Sequence, residues 1–449
     1  MRKDKITVFS RSKLGLDLAR LIDDPMLAKE LSPSNVDVSY RVPRGSLCVL
    51  CKGARMLCGK ARCPIVVRLT YYIRSLSRVR GLSLDGSSPP SVFVGRIGYP
   101  HVYVGPLTPP VHGDTSIMDM PELWFGKPLD EIVEYRFSLV RGRFRTRVDQ
   151  PMGSNRLLDE VRDLALSSLS VDVEMTFRRR PRRVFILDDE VQPFGASAPV
   201  RSLRIGTLKL DYRLEKAYSD YDLKASEAVL DLYKSGVPVS KIQRAFSVGA
   251  FGELKRRRLV PTRWSITAVD SIVSKALIER VKDNPVINEY RVYESNYLDN
   301  RFEILMLPES WSYESIEAWY PGTVWNPRGG EVAMYGDYEG YYGRTTYADM
   351  GGCYYAARLA VAEKLVAEGR QASVLILREA HPGYIMPVGV WQVRENVRNA
   401  LRKPPLKFDR LEDALRHIFS KLALPMEAWL RKSTILRNAL HQRKLPAYY

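Results

Sequence analysis

Four cysteines lie close together near the amino terminus, and thiolates at such spacing can bind a metal ion. The four residues fall within sixteen positions of a 449-residue sequence and are Cys48, Cys51, Cys58 and Cys63. Two residues separate the first pair, and six and then four residues separate the later members. Four thiolates in this pattern can reach one tetrahedral zinc ion, at about 2.3 Å from each sulfur. The pattern therefore predicts one structural zinc ion, with no open position for catalysis.

An iron–sulfur cluster is the alternative occupant of this site, because it also uses four thiolates. The interval between the ligand pairs is shorter than in common zinc fingers, which keeps this alternative open. Clustering of four of the five cysteines argues against a disulfide framework and favours metal binding in a reducing cytosol. The fifth, Cys353, is interpreted as a small, buried apolar residue.

Arginines form two groups whose spacing suits a phosphate backbone. The first group occupies alternate positions: Arg141, Arg143, Arg145 and Arg147. On a β-strand, alternate side chains share one face, so this group would form a ribbon of guanidinium groups. The second group has five members within six positions: Arg178, Arg179, Arg180, Arg182 and Arg183. Both groups predict nucleic-acid binding, although a solvated strand edge is an equal alternative for the first.

Acidic residues and histidines provide two further candidate metal sites. Asp188, Asp189 and Glu190 follow a predicted strand at residues 184–187, where carboxylates could hold magnesium in a two-metal nuclease. An acidic turn is the ordinary alternative. His101 and His112, with Asp114 and Asp119 nearby, could form a second metal site, for which ordinary loop residues are the alternative.

The last eight residues have the composition of a docking peptide. A short 3₁₀-like turn would gather Leu445, Tyr448 and Tyr449 onto one side and leave Gln442 to form a separate hydrogen bond. This pattern resembles the peptide by which replication and repair proteins bind the DNA sliding clamp (PCNA). It predicts clamp binding, and the alternative is a frayed terminus.

Composition favours a polyanionic partner and gives no sign of a membrane protein. Lysine and arginine number 69 against 51 acidic residues, a net charge of +18, which favours phosphate neutralisation. We find no run of about 18 apolar residues and no apolar signal core at the amino terminus. The sequence therefore predicts a soluble, cytoplasmic protein associated with the nucleoid.

Hydrophobic periodicity predicts both helices and strands. Strand patterns occur at residues 92–97, 101–104, 290–297, 301–307 and 373–377, and helical patterns occur at 223–283, 354–368 and 411–440. The helices within 223–283 are compatible with a helix-turn-helix or with ordinary core packing. Aromatic residues crowd positions 311–355, where they could stack on unpaired bases beside Arg328 and Arg344 or pack in the core.

Several stretches of the chain resemble the archaeal Nre family of DNA repair proteins. They are the cysteine string at 48–65, residues 96–100 followed by 104–106, and residues 340–344 and 389–395. With the carboxy-terminal peptide, the resemblance spans about residue 46 to the end. It implies a zinc finger at the four cysteines, a role in DNA damage repair, and clamp binding through residues 442–449. It supplies no catalytic residues.

The sequence as a whole predicts a multidomain α+β protein. An extension at 1–45 precedes a large domain at 46–310 that carries the zinc finger at 48–63. A smaller domain at 311–440 and a clamp-binding tail at 441–449 follow. The predicted function is a DNA repair factor that binds DNA through basic surfaces and is recruited by the clamp. The alternatives are a clamp-recruited, metal-dependent nuclease and an RNA-associated zinc protein.

Overall fold

The computed structural model describes most of the chain from residue 81 onward. The described residues are 6–9, 39–43, 51, 55–57, 62–64, 66–67, 70–71, 79, 81–150, 152–181, 184–186, 195–326 and 330–441. They divide into two compact units, Met1–Val269 with Ile385–Gly389, and Asp270–Tyr384 with Val390–Tyr449. The division falls within the helix Thr262–Lys282. The boundary predicted near residue 310 lies between two strands of the second unit.

A six-stranded sheet forms the centre of the first unit. Its strands are β3 (Ser83–Ser88), β4 (Ser91–Val94), β5 (His101–Thr108), β6 (Val140–Arg147), β7 (Val171–Phe177) and β9 (Ser197–Ile205). Their spatial order is β3-β7-β9-β6-β5-β4. A separate three-stranded sheet joins β1 (Ile6–Phe9), β2 (Ser39–Pro43) and β8 (Val184–Ile186). The sequence-predicted strands around residues 92, 101 and 141 are confirmed.

The six-stranded sheet curls, because its two edge strands are consecutive in the chain. Only Pro89 and Pro90 connect β3 to β4, and this link spans at most about 11 Å. Five strand spacings in a flat sheet would cover about 24 Å. A hydrogen bond of 2.8 Å from Ser88 Oγ to the carbonyl of Leu107 also joins β3 to the end of β5. The two edges are therefore brought close together.

Helices cover one face of this sheet. The helices of the first unit are α1 (Leu129–Ser138), α2 (Arg156–Leu166), α3 (Tyr212–Ser219), α4 (Ala225–Lys234), α5 (Val239–Ser247) and the start of α6 (Thr262–Lys282). Helix α2 contacts β4, β5 and β9, and it buries Leu158, Val161 and Leu164. Asn155 caps its amino terminus by accepting a hydrogen bond from the Leu158 amide.

The second unit is built around another six-stranded sheet. Its strands are β10 (Tyr290–Tyr297), β11 (Asn300–Leu307), β12 (Ser312–Trp319), β13 (Ala333–Glu339), β14 (Ser373–Ala380) and β15 (Leu406–Phe408). Their order is β13-β12-β14-β11-β10-β15. Strands β12 and β14 are parallel, and the other pairs are antiparallel.

Both faces of this second sheet are covered by helices. These are α7 (Gly352–Glu368), α8 (Trp391–Arg402), α9 (Leu411–Lys421), α10 (Met426–Lys432) and α11 (Thr434–His441). One face packs Leu305, Leu377 and Ile316 against α9, α10 and α11. The opposite face carries Tyr313, which stacks edge-on to Tyr354 of α7. Helix α7 ends at Glu368 and is capped by Gly369, whose φ of 60° is left-handed.

The α+β fold predicted from the sequence is confirmed. In the part of the chain that the structure describes, no helix combines the length and apolarity needed to cross a bilayer. Cys353 is partly buried, and burial raises the pKa of its thiol to about 12, so the thiol is protonated at neutral pH.

Candidate nucleic-acid interface

A cleft opens in the first sheet where two neighbouring strands diverge. Strand β6 pairs with β9 only through residues 141–143, opposite residues 197–199. Beyond this point β9 pairs with β7, while β6 continues to pair with β5. The space between the two strands therefore widens toward the end of β6, and we call it the arginine cleft.

Gly142 lies at the point of divergence and allows close packing there. A Cβ atom at this position would stand 2.5 Å from Met175 Sδ and 2.6 Å from Val200 Cγ2. Both contacts are shorter than van der Waals distance, so an added side chain would require the Met175 and Val200 side chains or the strand to shift. Gly142 thus lets β6 pack closely against β7 and β9 at the point where the strands diverge.

Pro199 of β9 brings the two arginine groups together. On one side it lies opposite Arg143 in the pairing of β6 with β9. On the other side its carbonyl accepts a hydrogen bond of 2.8 Å from the Arg178 amide, just after the end of β7. Arginines that are distant in sequence therefore flank the same residue.

The arginine cleft has a volume of about 510 Å³ and a basic, partly aromatic lining. The lining residues are Tyr103, Arg143, Phe144, Arg145, Asn155, Leu157, Arg178, Arg179, Pro199 and Val200. Four of these residues are arginines, and none is acidic. Arg145, Arg178 and Arg179 are exposed, whereas Arg143 is half-buried. The composition suits an anionic ligand that also has an apolar part.

The four arginines of β6 have different surroundings. The Arg141 guanidinium lies 4.6 Å from the Phe93 ring centroid, and Arg143 lies 5.2 Å from that of Tyr103. Arg147 donates two hydrogen bonds of 2.9 Å to Asp149, which lower the pKa of that carboxyl to about 2. Arg143 and Arg145 therefore face the arginine cleft, while Arg147 is engaged by a neighbouring acid.

The positive charge of the arginine cleft has no acidic partner in the part of the chain that the structure describes. Among the described residues, Arg143, Arg145, Arg178 and Arg179 form no ion pair, and Arg143 Nε is buried without a hydrogen-bond partner. Burial, with the charge of Arg143, lowers the pKa of Arg141 to about 10. An anion bound in the arginine cleft would offset the like charges of the arginines that line it.

The buried arginines of the second unit have acidic partners. Arg358 contacts Glu339 at 2.6 Å, Arg378 contacts Glu317 at 2.6 Å, and Arg394 contacts Asp270 at 2.9 Å. These buried guanidinium groups are thus paired, which offsets the cost of desolvation. In the first unit the buried Arg136 and Arg162 are also paired, with Asp119 and Asp159. The cleft arginines differ from these buried arginines in having no acidic partner among the described residues.

Two of the four predicted zinc ligands are described. Cys51 and Cys63 are both buried, which fits thiolates enclosed in a metal site. Cys48 and Cys58 lie outside the described residues. Within the described residues no group of three or more histidine, cysteine or acidic side chains could hold a metal. The zinc ion and its iron–sulfur alternative remain predictions.

Several other candidate residues also lie outside the described part of the chain. They are Arg182, Arg183, Asp188, Asp189, Glu190, Arg328 and the tail residues Gln442, Leu445, Tyr448 and Tyr449. Arg180 is described and exposed, but it does not line the arginine cleft. The proposed roles of all these residues remain predictions.

The structure bears on two further hypotheses, a helix-turn-helix and a second metal site. Helix α5, the second helix of the helix-turn-helix hypothesis, is mostly buried, including Ile242 and Ala245, which leaves little surface for base reading. His112 approaches Asp85 and Asp172 at 3.5 and 3.4 Å rather than joining His101.

The aromatic segment divides between core and surface. Trp311, Tyr313 and Tyr354 are fully buried, as the core-packing alternative requires. Tyr342, in a turn beyond β13, is 96% exposed, and Arg344 is paired with Asp337 at 2.8 Å. Base stacking by this segment would therefore be limited to its exposed members.

The fold and the cleft define a class of protein: a mixed α+β protein with a cleft in its amino-terminal unit, lined by four arginines that form no ion pair among the described residues. The profile of the archaeal Nre amino-terminal region matches residues 57–326, and that of the carboxy-terminal region matches residues 339–448. The chain belongs to the archaeal Nre family.

Three relatives support this assignment. The DNA repair protein NreB of Archaeoglobus fulgidus is 43% identical over 399 residues, which cover 89% of this chain and 98% of the relative. The DNA repair protein NreA of the same organism is 38% identical over 371 residues, 82% of this chain and 92% of the relative. The DNA repair protein NreA of Haloferax volcanii is 35% identical over 376 residues, 82% and 89% of the two chains. No solved structure matches the chain.

Proposed function

We propose that this protein is a DNA repair factor of the cytoplasm that binds DNA through the arginine cleft and is delivered to its site of action by the sliding clamp. The observation that carries the proposal is the convergence of Arg143 and Arg145 with Arg178 and Arg179 without acidic partners among the described residues. Unpaired guanidinium groups are suited to phosphate oxygens. The relatives, which are DNA repair proteins by name, support the repair role.

Two double variants with the same change in net charge test the DNA-binding part. Arg178→Ala with Arg179→Ala removes two cleft residues. Arg410→Ala with Arg416→Ala removes two exposed arginines that are paired with Glu412 and Asp413. We expect the cleft variant to lower DNA affinity at fixed salt by tenfold or more, from loss of charge-assisted hydrogen bonds of about 1.5 kcal/mol or more each. Equal losses in both variants would contradict a specific role for the cleft.

Clamp recruitment by residues 442–449 forms the second part of the proposal. These residues follow helix α11, whose amino terminus is anchored by a buried carboxylate. Glu314 accepts hydrogen bonds from Ser433 Oγ at 2.6 Å and from the Thr434 and Ile435 amides at 2.7 and 2.9 Å. The proposed docking peptide thus follows a helix whose first turn is held by hydrogen bonds to a buried carboxylate.

Calorimetry against the cognate clamp tests this recruitment. An eight-residue peptide with few anchors is expected to bind with micromolar affinity, about −8 kcal/mol. Deleting residues 442–449 is expected to abolish clamp binding while leaving zinc content, folding and DNA affinity unchanged. Tyr448→Ala and Tyr449→Ala are each expected to cost roughly 2 kcal/mol or more. Unchanged clamp affinity of the truncated chain would refute the docking role.

A nuclease activity is the alternative function, and incubation with magnesium or manganese and labelled flap, gapped and single-stranded DNA distinguishes it. A purely binding protein leaves these substrates intact. Cleavage that is lost in Asp188→Ala would favour the clamp-recruited nuclease.

A further inference from the structure

The arginine cleft has the shape and chemistry to receive an unpaired stretch of DNA strand. We infer that one nucleotide of a single strand enters the cleft, with its base against Tyr103 and its flanking phosphates on the exposed arginines. This inference rests on the proposed DNA-binding function and adds the structural form of the DNA that is bound.

Size and shape exclude a duplex from the cleft. Proteins read duplex DNA with elements that project into its grooves. The arginine cleft instead recedes between β6 and β9, and its volume of about 510 Å³ is that of a small-molecule pocket. A single nucleotide fits a recess of this size, whereas a base pair held within a helix cannot enter it.

The cleft lining has an apolar, aromatic part and a positively charged part, which match the base and the phosphate of a nucleotide. Tyr103 is 43% exposed at the cleft, and Phe144, Leu157 and Val200 provide further apolar surface. A paired base conceals its ring faces in the helical stack, whereas an unpaired base can stack on an aromatic side chain. A ligand made only of phosphate would leave this apolar and aromatic surface without contacts.

The four arginines that line the cleft differ in how deeply they are buried. Arg143 is half-buried and lies over the Tyr103 ring at 5.2 Å, so it extends the stacking surface within the cleft. Arg145, Arg178 and Arg179 are exposed at its mouth. A strand bound here therefore has its base inside, near Tyr103 and Arg143, and its phosphates outside.

Binding measured by fluorescence anisotropy with the full chain tests this inference. The probes are a labelled thymine strand of about 12 nucleotides, an abasic strand of the same length, a hairpin duplex, and an RNA strand of the same sequence. We expect the thymine strand to bind at least about tenfold more tightly than the duplex or the abasic strand, because of these three probes only the thymine strand has unpaired bases with free ring faces.

Variants at Tyr103 test stacking separately from charge. Tyr103→Ala is expected to weaken binding of the thymine strand by roughly 5- to 100-fold, the range for loss of one stacked base, and to leave the abasic strand unaffected. Tyr103→Phe keeps the ring and is expected to retain affinity. Tyr212→Ala is the matched control, since Tyr212 is also exposed and also lies under an arginine, Arg213, at 5.8 Å.

The outcomes separate this inference from the proposed function. Equal binding of thymine and abasic strands, or no effect of Tyr103→Ala, would overturn the single-strand inference while DNA binding by the arginines stands. Preference for RNA by more than tenfold would overturn DNA as the ligand. If Arg178→Ala with Arg179→Ala changes the affinity for no probe, the proposed function itself fails.

Discussion

Arg145 and Arg147 are two residues apart on one strand, and their surroundings predict different contributions to DNA binding. Arg145 lines the arginine cleft, whereas Arg147 is held by two hydrogen bonds to Asp149. We expect Arg145→Ala to lower DNA affinity roughly tenfold and Arg147→Ala less than about threefold, since a paired guanidinium must first leave its carboxylate. Anisotropy titrations at one salt concentration measure both. A larger loss in Arg147→Ala would show that the cleft is not the main contact.

A second residue, Glu303 of β11, makes stability depend on pH. It is 1% exposed, its Oε2 has no hydrogen-bond partner among the described residues, and burial, with the charge of Glu294, raises its pKa to about 8. In an unfolded chain the pKa is about 4.3, so between these values the folded state holds more protons. The contribution of protonated Glu303 is therefore complete below about pH 4.3 and is lost as pH rises to 8.

Glu303→Gln removes this titration and isolates its effect. We expect the unfolding free energy of the wild type, relative to Glu303→Gln, to fall by roughly 2–4 kcal/mol between about pH 4.5 and 8 and then to level off. Denaturant unfolding at a series of pH values measures the difference, in which other titrating groups largely cancel. A constant difference across this range would mean that the Glu303 pKa is not raised.

At the scale of elements, the divergence of β6 and β9 depends on Gly142. Gly142→Ala places a Cβ within 2.6 Å of Met175 and Val200, so we expect a loss of roughly 1–3 kcal/mol from overpacking, with weaker DNA binding. Gly330→Ala is the control, because no heavy atom lies within 4 Å of a Cβ added there. Thermal unfolding compares the two. Equal stabilities of both variants would show that the strands accommodate a side chain at residue 142.

Local sequence patterns predicted individual strands and helices but not which of them lie side by side. Alternation of arginines indicated the strand that became β6, and the helical pattern at residues 354–368 indicated helix α7. The cleft depends on β6 lying beside β9, a pairing between residues distant in sequence that no local pattern encodes. For the same reason Tyr103, opposite Arg145 on β5, was not singled out from the sequence. Arg147 and Asp149 are two residues apart in the sequence, but this spacing was not used to predict their ion pair.

For the whole molecule, the prediction of one structural zinc ion in the amino-terminal region can be tested directly. We expect one zinc per chain by metal analysis, and Cys51→Ser is expected to lose it and to loosen residues 46–80 first in hydrogen exchange. Structural zinc contributes about 10 kcal/mol or more to folding in small modules, which is why the effect should be local and large. Iron with visible absorbance, or absence of any metal from the purified protein, would contradict the assignment.

The net charge of +18 alone would give salt-dependent binding to any polyanion, so the central claim needs a measurement that counts contacts at the cleft. The slope of log affinity against log salt for a DNA strand provides it. The triple variant Arg145→Ala, Arg178→Ala and Arg179→Ala is compared with a control of equal charge change. This control replaces the exposed, ion-paired Arg256, Arg410 and Arg416 by alanine.

We expect the cleft variant to reduce the magnitude of this slope by about 2, since each phosphate contact on a single strand contributes roughly 0.7, and the control to leave it nearly unchanged. A slope that is the same in the wild type and the cleft variant would show that these arginines do not contact DNA, and it would contradict the account of the cleft as the DNA-binding site.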